Sequence, residues 1–424
     1  MDFPSTPLPQ EGLSRAEVLE QLRGLKEHDR QWEEGKVFGL IYDAGPEHHE
    51  LLRDAMALFE AENGLNVLAF PSIGQMSHDL VRITASLLGS DDPRSGGAVT
   101  GFLTSGGTES LLQASKVARD HARERGISKP TIVCATSAHA AFTKAGELFD
   151  IEIIRVPVGV DFRADVDAMA AAIDERTAMV VASAISYPQG VIDDVTALGA
   201  LAQERGILCH VDSCMGGFFL PFLTELGHCD VPFDFRVPGV TSMSADLHKY
   251  GYASKGASVV LYATSELARH QVFMTEDWLG GFYASTTMAG TKPAGPIAAA
   301  WASLMALGHE GLLRLTAETY EAARQIIDAV IANPLLEVRG EPAMAVFAFG
   351  AKDPETLDIF AVSEVLAKRG WHVDRQRHPD SLHLTVHAGS VKATPAFLAD
   401  LQEAVRAVGN QRTDDRSTTY ATGV

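Results

Sequence analysis

AMVVASAISYPQGVIDDVTALGALAQERGILCHVDS, residues 178–213, is the stretch whose reading decides the fold. It opens and closes on short apolar runs rich in β-branched residues, the mark of strands buried on both faces. Between them VTALGALAQERG has helical composition and ends on a glycine, a helix stop. Strand, helix, strand is the unit of a parallel sheet.

The same alternation extends in both directions. TIVCATS (131–137), IEIIRVP (151–157), VTSMSAD (240–246) and ASVVLYA (257–263) read as further strands, and DVDAMAAAIDERT as another intervening helix. Upstream, Ser14 and Glu17 form a capping-box pattern, which predicts a helix over 15–31. Helices are also expected at about 49–62 and across FPSIGQMSHDLVRITASLLG. Downstream, a helical region over about 294–331 leads to LEVRGEPAMAVFAFG and SLHLTVHA as strands. DIFAVSEVLAKRG and PAFLADLQEAVRAVG read as helices. The expected organisation is an N-terminal helical segment (1–60), a large α/β domain (61–305), a smaller C-terminal α+β domain (306–410) and a flexible polar tail (411–424).

A chain of 424 residues with 46% hydrophobic and 21% charged residues is ordinary globular material. A formal net charge of −20 argues against nucleic acid as a partner. Four cysteines without a CxxC pair do not make a disulfide framework, so a cytoplasmic setting is expected. The longest apolar stretch, AGPIAAAWASLMAL, is too short to span a bilayer. No metal site is expected.

In open α/β sheets, ligands gather at the carboxyl ends of the strands. TSGGTES (104–110) follows the apolar run AVTGFL, and its Gly106, Gly107 and Thr108 suit an anion cradle at a helix start, or equally a Gly-rich turn with a Thr cap. His139 in SAHAAFTKAG ends another strand; it can stack on a ring or serve structurally. Asp212 in HVDSCMGG can hold a positive ring nitrogen or cap a turn. Lys249 in SADLHKYGYASKG sits among small residues between His248 and Tyr250, with Lys255 nearby. Neighbouring positive groups would lower its pKa, as an amine that condenses with a carbonyl requires; a buried-stem lysine in an ion pair is the alternative. Taken together, a phosphate cradle, a stacking histidine, a strand-end aspartate and a lysine are what pyridoxal 5'-phosphate needs.

The run FDFRVPGVTSMSADLHKYGYASKGASVVLY (233–262) resembles sphingosine-1-phosphate lyases, as do TSGGTES, SAHAAFTKAG, HVDSCMGGF and GGFYASTTMAGTKPAG. The likeness is collinear over about residues 35–400. It implies the type I pyridoxal-phosphate (aspartate aminotransferase-like) fold and a homodimer with its active sites between subunits. It implies Lys249 as the Schiff-base lysine, Asp212 as the ring-nitrogen partner and His139 as the stacking residue. Gly106, Gly107, Thr108 and His248 would hold the cofactor, with Ser285, Gly290 and Thr291 reaching across the dimer interface. Lys255, Phe38, Asn66 and Tyr283 would face the substrate. Phe38 stands about where the family has a phosphate-binding tyrosine, and Asn66 where it has a histidine. The implied reaction cleaves a phosphorylated long-chain 2-amino-3-alcohol to a fatty aldehyde and phosphoethanolamine. Amino-acid decarboxylation on the same scaffold is the alternative, with Lys255 and Lys292 as candidate cations. A third reading, a silent scaffold protein, suits the intact set of residues least. Leu19, Leu22 and Leu25 give the N-terminal helix an apolar face, suited to a channel mouth or, better, to a partner subunit.

Overall fold

The computed structural model describes residues 8–27 and 29–418. Before the main sheet come α1 (Arg15–Lys26), α2 (Pro46–Leu58) and α3 (Pro71–Leu87). The Ser14–Glu17 capping box is present, but α1 stops at Lys26 and none of its residues is buried. Both α2 and α3 begin on a proline, which has no amide hydrogen to leave unpaired at a helix start.

Seven strands form the large sheet: β1 (Thr100–Thr104), β2 (Thr131–Ala135), β3 (Glu152–Val156), β4 (Thr177–Ser183), β5 (Leu208–Asp212), β6 (Ser242–Ala245) and β7 (Ser258–Tyr262). Their order is β1-β7-β6-β5-β4-β2-β3. Every residue of β2, β4, β5, β6 and β7 is buried, which is why these runs read as continuous apolar or small residues. Helices α4 (Gly107–Glu124), α5 (Ala141–Phe149), α6 (Val166–Ala172) and α7 (Val195–Arg205) cover the sheet, and the short α8 (Leu220–Glu225) follows β5.

Strand direction sets where the site can be. From β3 to β6 all pairs are parallel. β7 runs antiparallel to β6, and β1 runs antiparallel to β7. Thr104 at the end of β1 pairs with Ser258, and Ala245 at the end of β6 pairs with Val259. Two reversals therefore return the carboxyl end of β1 to the edge shared by β2, β5 and β6. The loops that follow these four strands carry TSGG, His139, Asp212 and the lysine run, so all four meet at one edge.

A short helix α9 (Ser265–Ala268) and a hairpin, β8 (Phe273–Thr275) with β9 (Tyr283–Ser285), lead to α10 (Gly295–Ala332). This helix breaks at Gly308, where φ is +57° and ψ −170°, a conformation that glycine tolerates. The remaining elements are β10 (Leu336–Val338), β11 (Val346–Ala351), α11 (Ile359–Lys368), β12 (Asp374–Gln376), β13 (Ser381–Thr385), α12 (Ala388–Val391) and α13 (Thr394–Val408). Their four strands form an antiparallel sheet in the order β10-β11-β13-β12. The architecture is thus α/β with a large parallel-rich sheet and a smaller antiparallel one.

Two further features differ from the sequence reading. The polar tail is tied to the body as far as Arg416; residues 419–424 lie outside the described part, as do 1–7 of the Pro-rich arm. Asp358 caps the start of α11 and also receives Arg416 in a two-pronged ion pair, Nη1 to Oδ1 at 2.9 Å and Nη2 to Oδ2 at 3.0 Å. Thr413 N–H donates to the same carboxylate, and the Arg412 guanidinium donates to the carbonyls of Pro354 and Glu355. A buried acid that needs a cation holds the tail in place.

The second difference is Phe38. Its side chain is fully buried in an aromatic cluster, 4.7 Å from the ring of Phe397 and 5.8 Å from that of Trp371. It is a core residue joining the N-terminal segment to the C-terminal domain. Phe38→Ala is expected to cost about 3–5 kcal/mol of stability, seen as a lowered denaturation midpoint. Catalytic efficiency per folded molecule should stay near wild type; a selective loss of substrate affinity at unchanged stability would place Phe38 at the site after all.

Candidate active site

β6 ends at Ala245, and the turn that follows, opening on Asp246, brings Lys249 back over that residue. Lys249 Nζ lies 3.0 Å from Asp246 Oδ2. Only 1% of the Asp246 side chain and 19% of the Lys249 side chain reach solvent. Burial pushes the Asp246 carboxyl up, but Lys249, His248 and hydrogen bonds together hold it below its ordinary value. The acid is therefore ionised, and the lysine is anchored by a charge with little water to screen it.

His248 completes this corner. The Ala257 N–H donates to its Nδ1 at 3.2 Å, so the ring proton sits on Nε2, which lies 3.6 Å from Asp246 Oδ2. Burial lowers its pKa to about 4, and the ring is neutral at pH 7.

Opposite stands the start of α4. Ser105, Gly106, Gly107 and Thr108 line a cavity of about 520 Å³ together with His139, His248, Lys249 and Asp246. No side chain caps this helix end, which leaves its first amides directed at the cavity. Gly107 has to be glycine: a Cβ there would lie 2.8 Å from Asp246 Oδ2 and 2.9 Å from Cys214 Sγ.

His139 follows β2. The Ala141 N–H donates to its Nδ1 at 3.1 Å, which fixes the ring, and burial lowers its pKa. Arg155 clamps the loop beneath it, donating to the carbonyls of Ala138 (3.0 Å) and His139 (3.3 Å) and to Thr143 Oγ1 (3.0 Å). Asp212 closes β5, almost fully buried, and its Oδ1 accepts from Cys214 N–H at 3.1 Å and Ser244 O–H at 3.3 Å. It stands behind Cys214, which lines the cavity.

The structure thus gathers Gly106, Gly107, Thr108, His139, His248 and Lys249 around one cavity, with Asp212 next to it. Ser285, Gly290, Thr291 and Tyr283 lie on the hairpin and the loop after it. Ser285 Oγ donates to the Thr287 carbonyl at 3.1 Å, Thr291 Oγ1 accepts from Asn63, and Tyr283 packs on Trp278 and Phe273. From this loop it is Met288 and Ala289 that line the cavity. Asn66 is exposed, and its Oδ1 accepts from the Leu68 and Ala69 amides in the turn before α3. Lys255 lies beside the cavity, its Nζ 3.1 Å from the His248 carbonyl and 4.8 Å from the centre of the Tyr42 ring. Tyr42, four residues beyond Phe38, is the tyrosine that the structure sets next to this cation.

Sequence reasoning passed over Asp246, Glu109 and Tyr42. Asp246 was visible three residues before the lysine, and Glu109 inside TSGGTES. Tyr42 lies in the same loop as Phe38, and only the path of the chain chooses between the two.

The arrangement is an anchored amine, an open helix N-terminus and a strand-end acid around a cavity large enough for a cofactor and a substrate. The uncapped amides fit a phosphate, and the space above Gly107 exists only because that residue has no side chain. These features define a pyridoxal-phosphate-dependent enzyme of the aspartate aminotransferase-like fold. The pyridoxal-dependent decarboxylase conserved domain matches residues 5–352. Sphingosine-1-phosphate lyase of Arabidopsis thaliana is 43% identical over 405 residues, covering 95% of this chain and 74% of that protein. Sphingosine-1-phosphate lyase 1 of Rattus norvegicus is 41% identical over 401 residues, covering 94% and 69%. The solved structure of a Burkholderia pseudomallei sphingosine-1-phosphate lyase superposes with a TM-score of 0.91 at 40% identity, covering 95% of this chain and 93% of that one. Lactobacillus brevis glutamate decarboxylase shares the fold, at a TM-score of 0.84 and 20% identity. The chain belongs to the sphingosine-1-phosphate lyase family of pyridoxal-phosphate-dependent lyases.

Gly107→Ala is expected to weaken cofactor binding at least tenfold, because the added methyl displaces Asp246 or Cys214 from the cradle. Titration of the apoprotein with pyridoxal phosphate, followed by absorbance, checks this. Wild-type affinity in the variant would mean that the cofactor phosphate lies elsewhere.

Proposed function

We propose that the enzyme cleaves the C2–C3 bond of a phosphorylated sphingoid base, releasing a long-chain aldehyde and phosphoethanolamine. The observation that carries this reading is the pair formed by Lys255 and Tyr42 beside the Lys249 cavity. It supplies a cation and a phenol where a substrate phosphate can bind while the substrate amine meets Lys249.

Lys249 would hold the cofactor's aldehyde carbon, the α4 N-terminus with Gly106, Gly107 and Thr108 its phosphate, Asp212 its ring nitrogen, and His139 the ring face. Bound there, pyridoxal phosphate supplies an electron sink for the carbanion left at C2. The chain's own groups do the rest. Asp246 holds Lys249 at the cavity, and Lys249 Nζ is the atom placed to pass a proton to or from the substrate. His248, neutral with its proton on Nε2, adds no charge that would compete with Lys249 for Asp246. Cys214 N–H and Ser244 O–H orient the Asp212 carboxylate.

We propose further that the enzyme is a cytoplasmic homodimer. Four buried free cysteines suit a reducing compartment, and no described helix is long and apolar enough to cross a membrane. The β8–β9 hairpin exposes Phe273, Met274, Trp278, Leu279 and Phe282, with Leu279 fully exposed, and such a patch suits a subunit interface. It lies directly before the loop that brings Met288 and Ala289 to the cavity.

Two measurements test the reading. Mass spectrometry after incubating the loaded enzyme with dihydrosphingosine 1-phosphate should show aldehyde and phosphoethanolamine, and neither with Lys249→Ala. Carbon dioxide released from an amino acid instead, with no aldehyde, would assign the decarboxylase. The second measurement is a pH profile. Lys255 is exposed as a residue, yet its ammonium sits against the His248 carbonyl and the Tyr42 ring, and desolvation there, followed by repulsion from Lys249, lowers its pKa to about 8. Since the pKa is lowered in the folded protein, the cation is present below about pH 8 and lost above it. The kcat/KM for the phosphorylated substrate should fall as pH rises through that value, and Lys255→Ala should abolish the dependence.

A further inference from the structure

The third residue of α4, Glu109, is a carboxylate at a helix end otherwise suited to bind an anion, and only 8% of the residue is exposed. A bare negative charge there would repel a phosphate. Its two oxygens, however, are committed elsewhere. Oε2 accepts from the Ser105 N–H at 2.7 Å and from the Ser105 O–H at 2.6 Å. Oε1 accepts from the Met288 N–H at 2.7 Å. One side chain thus joins the turn that opens the cradle to the loop that closes the cavity from the hairpin side. Residues from both strands of this connection line the same cavity: Ser105 and Glu109 on one side, Met288 and Ala289 on the other. A second tie lies just before the latch, where Gln271 and Gln113 both donate to the Thr286 carbonyl, at 2.7 Å and 3.4 Å.

We propose that Glu109 is a positioning residue whose carboxylate latches the 285–291 loop over the phosphate cradle and so sets how tightly the cofactor is retained. This rests on the reading of the cavity as the pyridoxal-phosphate site. The chemistry demands Glu in particular. Both oxygens must accept, because every group facing them is a donor. An amide cannot do this: with its oxygen on Ser105, its NH₂ confronts the Met288 N–H. Glutamine therefore keeps the turn and releases the loop, while alanine releases both. Aspartate keeps the charge, but it is one methylene too short to span the two.

The test uses full-length apoprotein and two readouts. Hydrogen–deuterium exchange of apo wild type and Glu109→Gln should differ in the 285–291 segment, faster in the variant, with the 104–107 turn unchanged. Absorbance titration should give a pyridoxal-phosphate dissociation constant raised about tenfold, the loss expected for one hydrogen bond to a charged group. Glu109→Asp should show the same loop exchange, and it supplies the comparison if the glutamine variant does not fold. Unchanged exchange at 285–291 in both variants overturns the latch. Faster exchange with unchanged cofactor affinity overturns its role in retention. A wild type that takes up no pyridoxal phosphate at all sinks the reading of the cavity itself, and the exchange comparison then still decides whether the latch exists.

Discussion

The contact on which the site depends is the ion pair between Asp246 and Lys249, 3.0 Å apart and almost sealed from water. Removing two charges from water is expensive, and close pairing with further polar contacts is what offsets it. The cost explains much of what surrounds the pair. His248 has to be neutral there, and the Ala257 amide fixes the tautomer that presents a proton toward Asp246. Gly107 has to lack a side chain, because Asp246 occupies the space where a Cβ would go. Lys249 is held by Asp246 and still lines the cavity.

The sheet makes that contact possible. Strands β1, β2, β5 and β6 end at one edge, and each delivers a different kind of group: helix amides, an imidazole, a carboxylate and an amine with its counter-ion. No single loop could hold all four without burying unpaired backbone polar groups. Strands buried on both faces hold their ends rigidly, so the loops can be short and the site exact to within a hydrogen bond. The price is the two antiparallel steps at β7 and β1, which bring α4 to the same edge.

These relations explain what could be read from the sequence. Five of the six runs were legible because strands buried on both faces favour apolar and small residues, while β3, with Glu152 exposed, was read from Ile153, Ile154 and Val156. The lysine, the strand-end aspartate and the glycines stood out because their chemistry departs from that apolar background. Asp246 did not stand out, since its meaning lies in a turn that folds Lys249 back onto it. Phe38 and Tyr42 illustrate the limit. Both are aromatic, they lie four residues apart in a loop with no periodicity, and one enters the core while the other meets Lys255. Residues 412–416 show the same limit: a polar, charged segment looks solvated until the buried Asp358 that pairs with Arg416 is known.

The scaffold does not by itself choose a reaction, since glutamate decarboxylase of Lactobacillus brevis superposes on this chain at 20% identity. What distinguishes one chemistry from another is then sought around the cavity rim, outside the Lys249–Asp246 pair and the glycine cradle. On this chain the rim holds Lys255 over Tyr42, an exposed residue whose ammonium is tethered by one carbonyl and one ring. A cation so placed favours an anionic group at the end of the substrate remote from the amine being processed. Among the described residues no carboxylate forms an ion pair with Lys255; the nearby Asp246 supports it only at longer range and pairs directly with Lys249. The two lysines therefore divide the work by their counter-ions, Lys249 matched inside the protein and Lys255 left to be matched by what binds.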